Sequence, residues 1–359
     1  MLTGAQPAQP AAYVGDVDHR TLGRSGCVVS TFALGTMTFG RETDEAGARE
    51  QLDTYADAGG MLVDTADVYA GTESESIIGR WLATTPHHVR DQIVVASKGR
   101  FPTADGANAL GLSRRHLSRA LDASLRRLQV ETIDLYQVHG WDPLTPLDET
   151  VRFFDDAVAA GKIGYFGLSN FTGWQIQKTV DLAEHRGWQR PVTVQPQYNL
   201  LAREIEWEIV PACLDNGLGL LPWSPLGGGW LTGKYVRDEQ PSGRTRLGEA
   251  PERGVEAYGR RSALARTWDV VDAVRAVAKT RDVPMASVAL AWLAHRPAVT
   301  SVILGARTTE QLRSNLAAGS LRLSTDETQR LDDASGPGVA DYPYGELGIE
   351  QRTRDIRGR

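Results

Sequence analysis

The chain has 359 residues, 41% of them hydrophobic, and a formal charge of -6. That mild acidity gives no electrostatic case for nucleic acid or an anionic membrane surface, and no apolar run approaches the roughly 18 residues needed to span a bilayer. Two cysteines, Cys27 and Cys213, lie far apart, which suggests neither a disulfide framework nor a zinc site and fits a reducing, cytoplasmic setting.

Met1 to Pro10 lacks the charged and apolar regions of a signal peptide, and residues 1–16 read as a flexible Ala/Gln/Pro tail. Val17 to Ser30 reads as a hairpin turning near Arg24-Ser25-Gly26. Phe32-Ala33-Leu34-Gly35-Thr36-Met37 is a first buried strand, followed by a helix from Thr43 to Gly59 with Thr43 as its cap. Met61-Leu62-Val63 leads into Asp64, and Tyr69 follows five residues later. Such an apolar run reads as a parallel strand buried on both faces, and an acid at its end needs a cation. Thr72-Glu73-Ser74-Glu75 has the spacing of a capping box, opening a helix through Ile77, Ile78, Trp81 and Leu82.

Ile93-Val94-Val95-Ala96-Ser97 ends in Lys98, and an amphipathic helix runs from Ser113 to Leu128. The strand from Ile133 ends in His139, and a helix from Leu147 to Ala160 follows. Ile163 to Asn170 is a fifth strand, Thr172 to Arg186 a helix, Val192 to Pro196 a sixth strand, Arg203 to Asn216 a helix and Leu218 to Trp223 a seventh strand. Ser224 to Gly259 is a long Gly/Pro/Arg-rich loop, and long loops in compact domains are often functional. Helices from Ser262 to Lys279 and Met285 to His295 precede an eighth strand, Thr300 to Leu304. Thr308 and Gln311 form a second capping box on the helix to Ala318, and Asp326 to Ala334 is a last helix.

Strand and helix alternate through eight rounds with no domain-sized linker. The expected fold is one (β/α)8 barrel over residues 17–334, with a C-terminal tail, 335–359, whose Tyr342 and Tyr344 could equally cover the active site or belong to a disordered end. Such barrels carry their active sites at the C-terminal ends of the strands. Asp64, Tyr69, Lys98 and His139 all fall there. A phenol is too weak an acid near neutrality, and a nearby ammonium lowers its pKa. Lys98 can do this for Tyr69, Asp64 can hold Lys98, and His139 can hydrogen-bond a substrate oxygen. Together they can protonate a carbonyl while a nicotinamide supplies hydride, which no side chain can do. Taken singly, a strand-end Asp is usually a cap, a Lys a solvated charge and a His a packed ring; their meeting at one face is what argues for a site.

Asp64-x4-Tyr69, Ser97-Lys98 and Val138-His139 resemble the catalytic tetrad of the aldo-keto reductases in type, order and strand position. The resemblance runs from about Arg20 to Ala334 and includes Gly35-Thr36-Met37, Gly167-Leu168-Ser169-Asn170, Gln195-Pro196-Gln197-Tyr198-Asn199, Pro222-Trp223-Ser224-Pro225-Leu226 and Gly305-Ala306-Arg307 through Gln311 and Asn315. It implies that Tyr69 is the general acid, tuned by Lys98 and Asp64, and that His139 orients the carbonyl. A Glu at this His position marks the family's C=C reductases, so His139 points to carbonyl reduction. It also implies NADP(H) as cofactor, bound by Gly35, Thr36, Met37, Ser169, Asn170, Gln195, Trp223, Ser224, Pro225, Leu226, Gly227, Gly305, Ala306, Arg307, Gln311 and Asn315. Ser169, Asn170 and Gln195 suit a carboxamide and Trp223 a nicotinamide face. Ser224 to Gly229 suits a pyrophosphate but lacks the context of a Rossmann fingerprint, and Gly305-Ala306-Arg307 lies at a helix N-terminus suited to phosphate. Met37, Phe39, Phe101, Trp141, Trp223 and Trp230 are expected on an aromatic rim.

The expected partner is a small carbonyl substrate (aldehyde, ketone or keto-sugar), with no nucleic acid, membrane or metal. The rival reading is a cofactor-binding regulatory subunit similar to the potassium-channel β-subunits of that family. A barrel metal hydrolase is disfavoured, because only His139 of the seven histidines is well placed and no His pair ends a strand.

Overall fold

The apolar runs bounded by turn residues pair side by side in chain order. The computed structural model describes residues 18–243, 245–252, 254–339, 341–345 and 348; the expected N-terminal tail and most of the C-terminal one lie outside them. A hairpin of β1 (His19–Thr21) and β2 (Val28–Ser30) precedes β3 (Phe32–Gly35), β4 (Leu62–Asp64), β5 (Val94–Gly99), β6 (Ile133–Val138), β7 (Ile163–Ser169), β8 (Thr193–Gln195), β9 (Gly219–Leu220) and β10 (Val302–Gly305). The last eight form one sheet in the order β10-β3-β4-β5-β6-β7-β8-β9, and every pairing in it is parallel. Leu220 donates to Ala298 O (2.7 Å) and accepts from Thr300 N (2.9 Å), and Ile303 N reaches Pro222 O (3.0 Å). These bonds join β9 to the lead into β10 and curl the sheet into the (β/α)8 barrel.

The period of two along a strand divides the core. Leu62, Val94, Ala96, Leu135 and Ile303 pack together with Leu22 of the hairpin loop, forming the inner layers. Leu34, Val63, Val95, Tyr136, Phe166 and Val194 pack instead with helix residues such as Leu52, Ile77, Leu117, Phe154 and Ile176. By the same alternation, the inward line Val94–Ala96 continues into Lys98, Leu135 into Gln137 and His139, and Leu62 into Asp64. The lower barrel interior is therefore apolar and its upper end polar.

The hairpin seals the bottom. Arg20 Nη1 donates to Ala294 O (2.8 Å) and Val299 O (2.5 Å). Gly23 has φ +57°, and a Cβ there would lie 2.1 Å from Val192 O, so only glycine fits that turn.

Several local expectations change. The first helix, Glu45–Asp57, is capped by Asp44, whose Oδ1 accepts from Gly47 N (2.9 Å), rather than by Thr43, whose hydroxyl reaches Arg307 O (3.3 Å). The Thr72–Glu75 capping box does not form. Thr72 is left-handed (φ 86°) after a tight turn through Ala70 and Gly71, and Glu75 turns inward to Ser97 and Arg127. The expected Arg203–Asn216 helix is a 3-10 turn, Glu204–Glu206, followed by Ile209–Asn216. At Thr308 the cap to Gln311 N forms (3.3 Å), but Gln311 Oε1 accepts from Arg307 N (2.9 Å), one residue earlier than a capping box requires. The reciprocal box occurs instead at Thr172/Gln175 and Ser324/Glu327. Phe39 and Trp230 are core residues rather than rim; Trp230 stacks on Tyr258 (5.3 Å, 12°) and anchors the long loop.

Tyr55 ties the first helix to the sheet. Its buried hydroxyl lies 2.8 Å from Phe32 O, 2.9 Å from Leu62 O and 2.9 Å from Ser30 Oγ, and accepts from Leu62 N (3.0 Å). Tyr55→Phe keeps the ring but strands these buried groups, so it should lower stability by about 1–3 kcal/mol, read as a lower denaturant midpoint at unchanged slope.

Candidate active site

At the upper end of the barrel, Lys98 is fully buried. Its three N–H bonds have three acceptors: Asp64 Oδ2 (2.7 Å), Thr65 O (2.7 Å) and Tyr69 OH (3.4 Å). The turn after β4 aims the phenol back at the ammonium, with Tyr69 N donating to Ala66 O and Asp67 N to Lys98 O. His139, just past β6, meets Tyr69 edge to face at 5.8 Å and Phe101 at 4.8 Å. The four residues expected at one face are thus brought together, from β4, its loop, β5 and the end of β6.

Asp64 is held on its second oxygen as well. Gln195 Nε2 donates to Oδ1 at 2.8 Å, and Gln137 Nε2 approaches it at 3.4 Å. Gln195 therefore has its amide nitrogen on the catalytic-type acid, a contact not foreseen for a residue expected to bind a carboxamide. Gln137 was missed altogether, although it lies two residues before His139 and so on the same face of β6.

Burial raises the Tyr69 pKa, and the nearby Lys98 charge, which opposes it, does not win. The ammonium lowers the phenol's pKa as expected, but complete desolvation of a phenolate is the larger effect and sets the net direction. Burial alone would depress Lys98, but Asp64 and Tyr69 hold its pKa above the ordinary value. His139 is pushed well down, by burial and then by the charges of Lys98 and Arg100, so its imidazole is neutral. His139 Nδ1 is buried without a hydrogen-bond partner.

A second constellation lines the opposite side of the mouth. Ser169 Oγ donates to Gln195 O (2.9 Å); Asn170 Nδ2 donates to His139 O (3.0 Å) and its Oδ1 accepts from Trp223 Nε1 (3.1 Å). Asn170 (φ 57°) and Ser224 (φ 55°) are both left-handed, and Ser224 Oγ is buried with no partner. The backbone then runs Pro225, Leu226, Gly227, Gly228, Gly229, with φ of 56°, 64° and 102° at the three glycines; a Cβ at Gly228 would sit 2.9 Å from Glu256 Cβ.

Gly35 lies against Ile303, and Thr36 is buried, with its hydroxyl on Asp64 O (3.0 Å) and Ser74 Oγ (2.8 Å). Met37 is exposed. Gly305, Ala306 and Arg307 run from β10 to the helix Thr309–Leu316, with Asn315 Nδ2 3.5 Å from Gly305 O. Arg307 pairs with Glu249 of the long loop (2.9 Å). Lys234, also missed, is depressed by burial and then by the Arg307 charge. Lys234 lies against Gly229 and feels the Arg307 charge, and cations beside a glycine backbone form a donor set suited to phosphates.

Around the mouth, Trp141 packs edge to face on Phe171 (5.3 Å) and Trp174 (5.5 Å). Tyr344 of the C-terminal segment stacks on Trp207 (5.5 Å, 17°) and bonds Glu208.

The family model described as "Aldo/keto reductase family" matches residues 31–335. The chain belongs to the aldo/keto reductase family. It is 38% identical to an uncharacterized oxidoreductase, YrpG, of Bacillus subtilis (strain 168), covering 90% of this chain and 97% of that protein. It is 31% identical to versiconal hemiacetal acetate reductase of Aspergillus parasiticus, over 89% of this chain and 98% of that enzyme. A probable voltage-gated potassium channel subunit beta of Oryza sativa subsp. japonica is 34% identical over 84% of this chain and 91% of its own length. Family membership makes the chain an oxidoreductase of carbonyl chemistry. Among the described residues no helix is long and apolar enough to cross a membrane and no cluster of metal-ligand type occurs.

Lys98→Met leaves the Asp64 carboxylate buried without its cation. It should lower stability by about 3–5 kcal/mol at neutral pH, measured by urea unfolding against the parent protein.

Proposed function

We propose that this protein reduces an aldehyde or ketone to an alcohol with NADPH, in the cytoplasm, and that Tyr69 donates the proton. The observation that carries this reading is the buried Lys98 ammonium held between Asp64 and the Tyr69 hydroxyl, with the neutral His139 ring beside the phenol. The nicotinamide, when bound, supplies hydride to the carbonyl carbon. Ser169, Asn170, Gln195 and Trp223 would hold that ring, with Gly35, Thr36 and Met37 along its edge. Ser224 to Gly227 would hold the pyrophosphate, joined by Lys234. Gly305, Ala306, Arg307, Gln311 and Asn315 would hold the adenosine phosphate end.

The residues then divide the work. Neutral His139 donates a hydrogen bond to the carbonyl oxygen and places it near the phenol. Tyr69, kept protonated by its burial, gives its proton to that oxygen as charge develops. Lys98 stabilises the resulting phenolate through space, and Asp64, braced by Gln195 and Gln137, keeps Lys98 charged and in place. Trp141, Trp174 and Phe101 favour a substrate with an apolar face.

The channel-subunit relative motivates a second reading, a cofactor-binding regulator with little turnover. NADPH consumption over a panel of aldehydes and ketones separates the two, since the regulator would bind NADPH and consume almost none.

Tyr69→Phe should lower turnover by roughly 10²–10⁴-fold, the range for loss of a general acid, with NADPH affinity near that of the parent. Retention of more than about a tenth of parental turnover would place the acid elsewhere. Arg307→Ala should weaken NADPH by about 1.5–3 kcal/mol, the range for a hydrogen bond to a charged group, and NADH much less; equal weakening in a cofactor titration would remove Arg307 from the 2′-phosphate.

A further inference from the structure

Between Asp64 and Tyr69 the chain carries a second acid, Asp67, to which the chemistry above gives no task. Asp67 is fully buried, and its carboxylate has no side-chain hydrogen-bond partner; the backbone N–H of Val68 is the one donor acting on it. A charged carboxylate in that state is costly, unlike Glu75 close by, which is bonded to Ser97 and ion-paired with Arg127 at 2.7 Å. Tyr136 OH, from β6, is likewise buried, with Ser124 the side chain acting on it. The charged and titratable groups facing Asp67 are Glu75 of the helix Glu73–Thr84, Arg127 of the helix Arg114–Leu128, Lys98 of β5, Tyr136 of β6 and Tyr69 in its own loop. Arg127 is ion-paired with Glu75 and Lys98 with Asp64, so among the described residues neither cation forms an ion pair with Asp67, although both charges act on it. Its backbone N–H meanwhile bonds the carbonyl of Lys98 at 3.1 Å, fastening it to the residue that sets the phenol's acidity.

We propose that Asp67 is a positioning residue acting through Tyr69: its buried carboxyl stores a proton, and release of that proton to water leaves a negative charge beside the Lys98–Tyr69 pair that makes Tyr69 a weaker acid. The step is one ionisation, carboxylic acid to carboxylate plus a solvated proton, and no substrate bond changes in it. Burial, then the Glu75 charge, pushes Asp67 up to about 7, so the switch lies within the physiological range. The proposal rests on Tyr69 as the proton donor.

Two readouts test it. In the protein without cofactor, a folded-state pKa raised above the roughly 3.9 of a free Asp gives stability that is complete below that value and lost as pH rises through about 7. Urea unfolding across this window should therefore show the parent losing stability relative to Asp67→Asn, with the gap constant at higher pH. In steady-state reduction, the parent's kcat should fall by roughly two- to fivefold through the same window, whereas Asp67→Asn stays level at the rate of the parent's acid limb. Asp67→Leu, a second neutral side chain of similar size, should stay level too. Parallel stability curves for parent and Asp67→Asn would overturn the stored proton. Diverging stability curves with identical pH–rate profiles would overturn the link to Tyr69. If Tyr69→Phe remains active, the proton donor has been misassigned, a result the stability curves do not depend on.

Discussion

An ammonium with no solvent contact sits at the centre of this barrel, and much of the upper interior is arranged to keep it charged. Lys98 has as many acceptors as it has N–H bonds, one of them the carboxylate of Asp64. That carboxylate is in turn satisfied by two glutamines, Gln137 from β6 and Gln195 from β8 across the barrel. Buried ion pairs are weak contributors to stability, because two desolvation penalties offset the attraction. An apolar upper layer would serve folding as well. The retention of a complete polar layer above an apolar one therefore argues for chemistry at that end, and the (β/α)8 architecture explains the polarity, since catalytic groups collect where the strands end.

The balance of forces on the phenol is more finely drawn than charge alone suggests. Tyr69 feels burial and the negative charge of Asp64 and Asp67 in one direction and Lys98 in the other, and burial wins. A protonated phenol beside a fixed cation has a conjugate base for which a stabilising charge is already in place. The neutral His139 complements it: an imidazolium in that position would repel Lys98 and Arg100, and their charges together with burial keep the ring unprotonated.

The long excursion after β9 departs from the same end of the barrel, and its three consecutive glycines adopt left-handed angles. Trp230 and Tyr258 stack beneath it, so the loop is anchored by its own aromatic core. Glu249 from this loop meets Arg307 from the last barrel unit, so the two segments with a donor set for phosphate are bridged by an ion pair. The likeness to both reductases and a potassium-channel subunit shows one scaffold shared by different roles, and function must be argued from the site.

The order of strands and helices, the barrel and the convergence of Asp64, Tyr69, Lys98 and His139 were legible in the sequence, because each rests on local periodicity and on a rule about strand ends. What the tertiary structure alone decided depends on contacts between residues remote in the chain. Gln195 bonding Asp64 across the barrel is one such contact. Glu75 turning from a helix cap to Ser97 and Arg127 is another, since a left-handed turn at Ala70 and Gly71 changes how the helix begins. The direction of the Tyr69 shift is a third, for proximity to Lys98 could be foreseen from spacing while the extent of desolvation could not. Burial is a property of the whole packed barrel, and no stretch of residues records it.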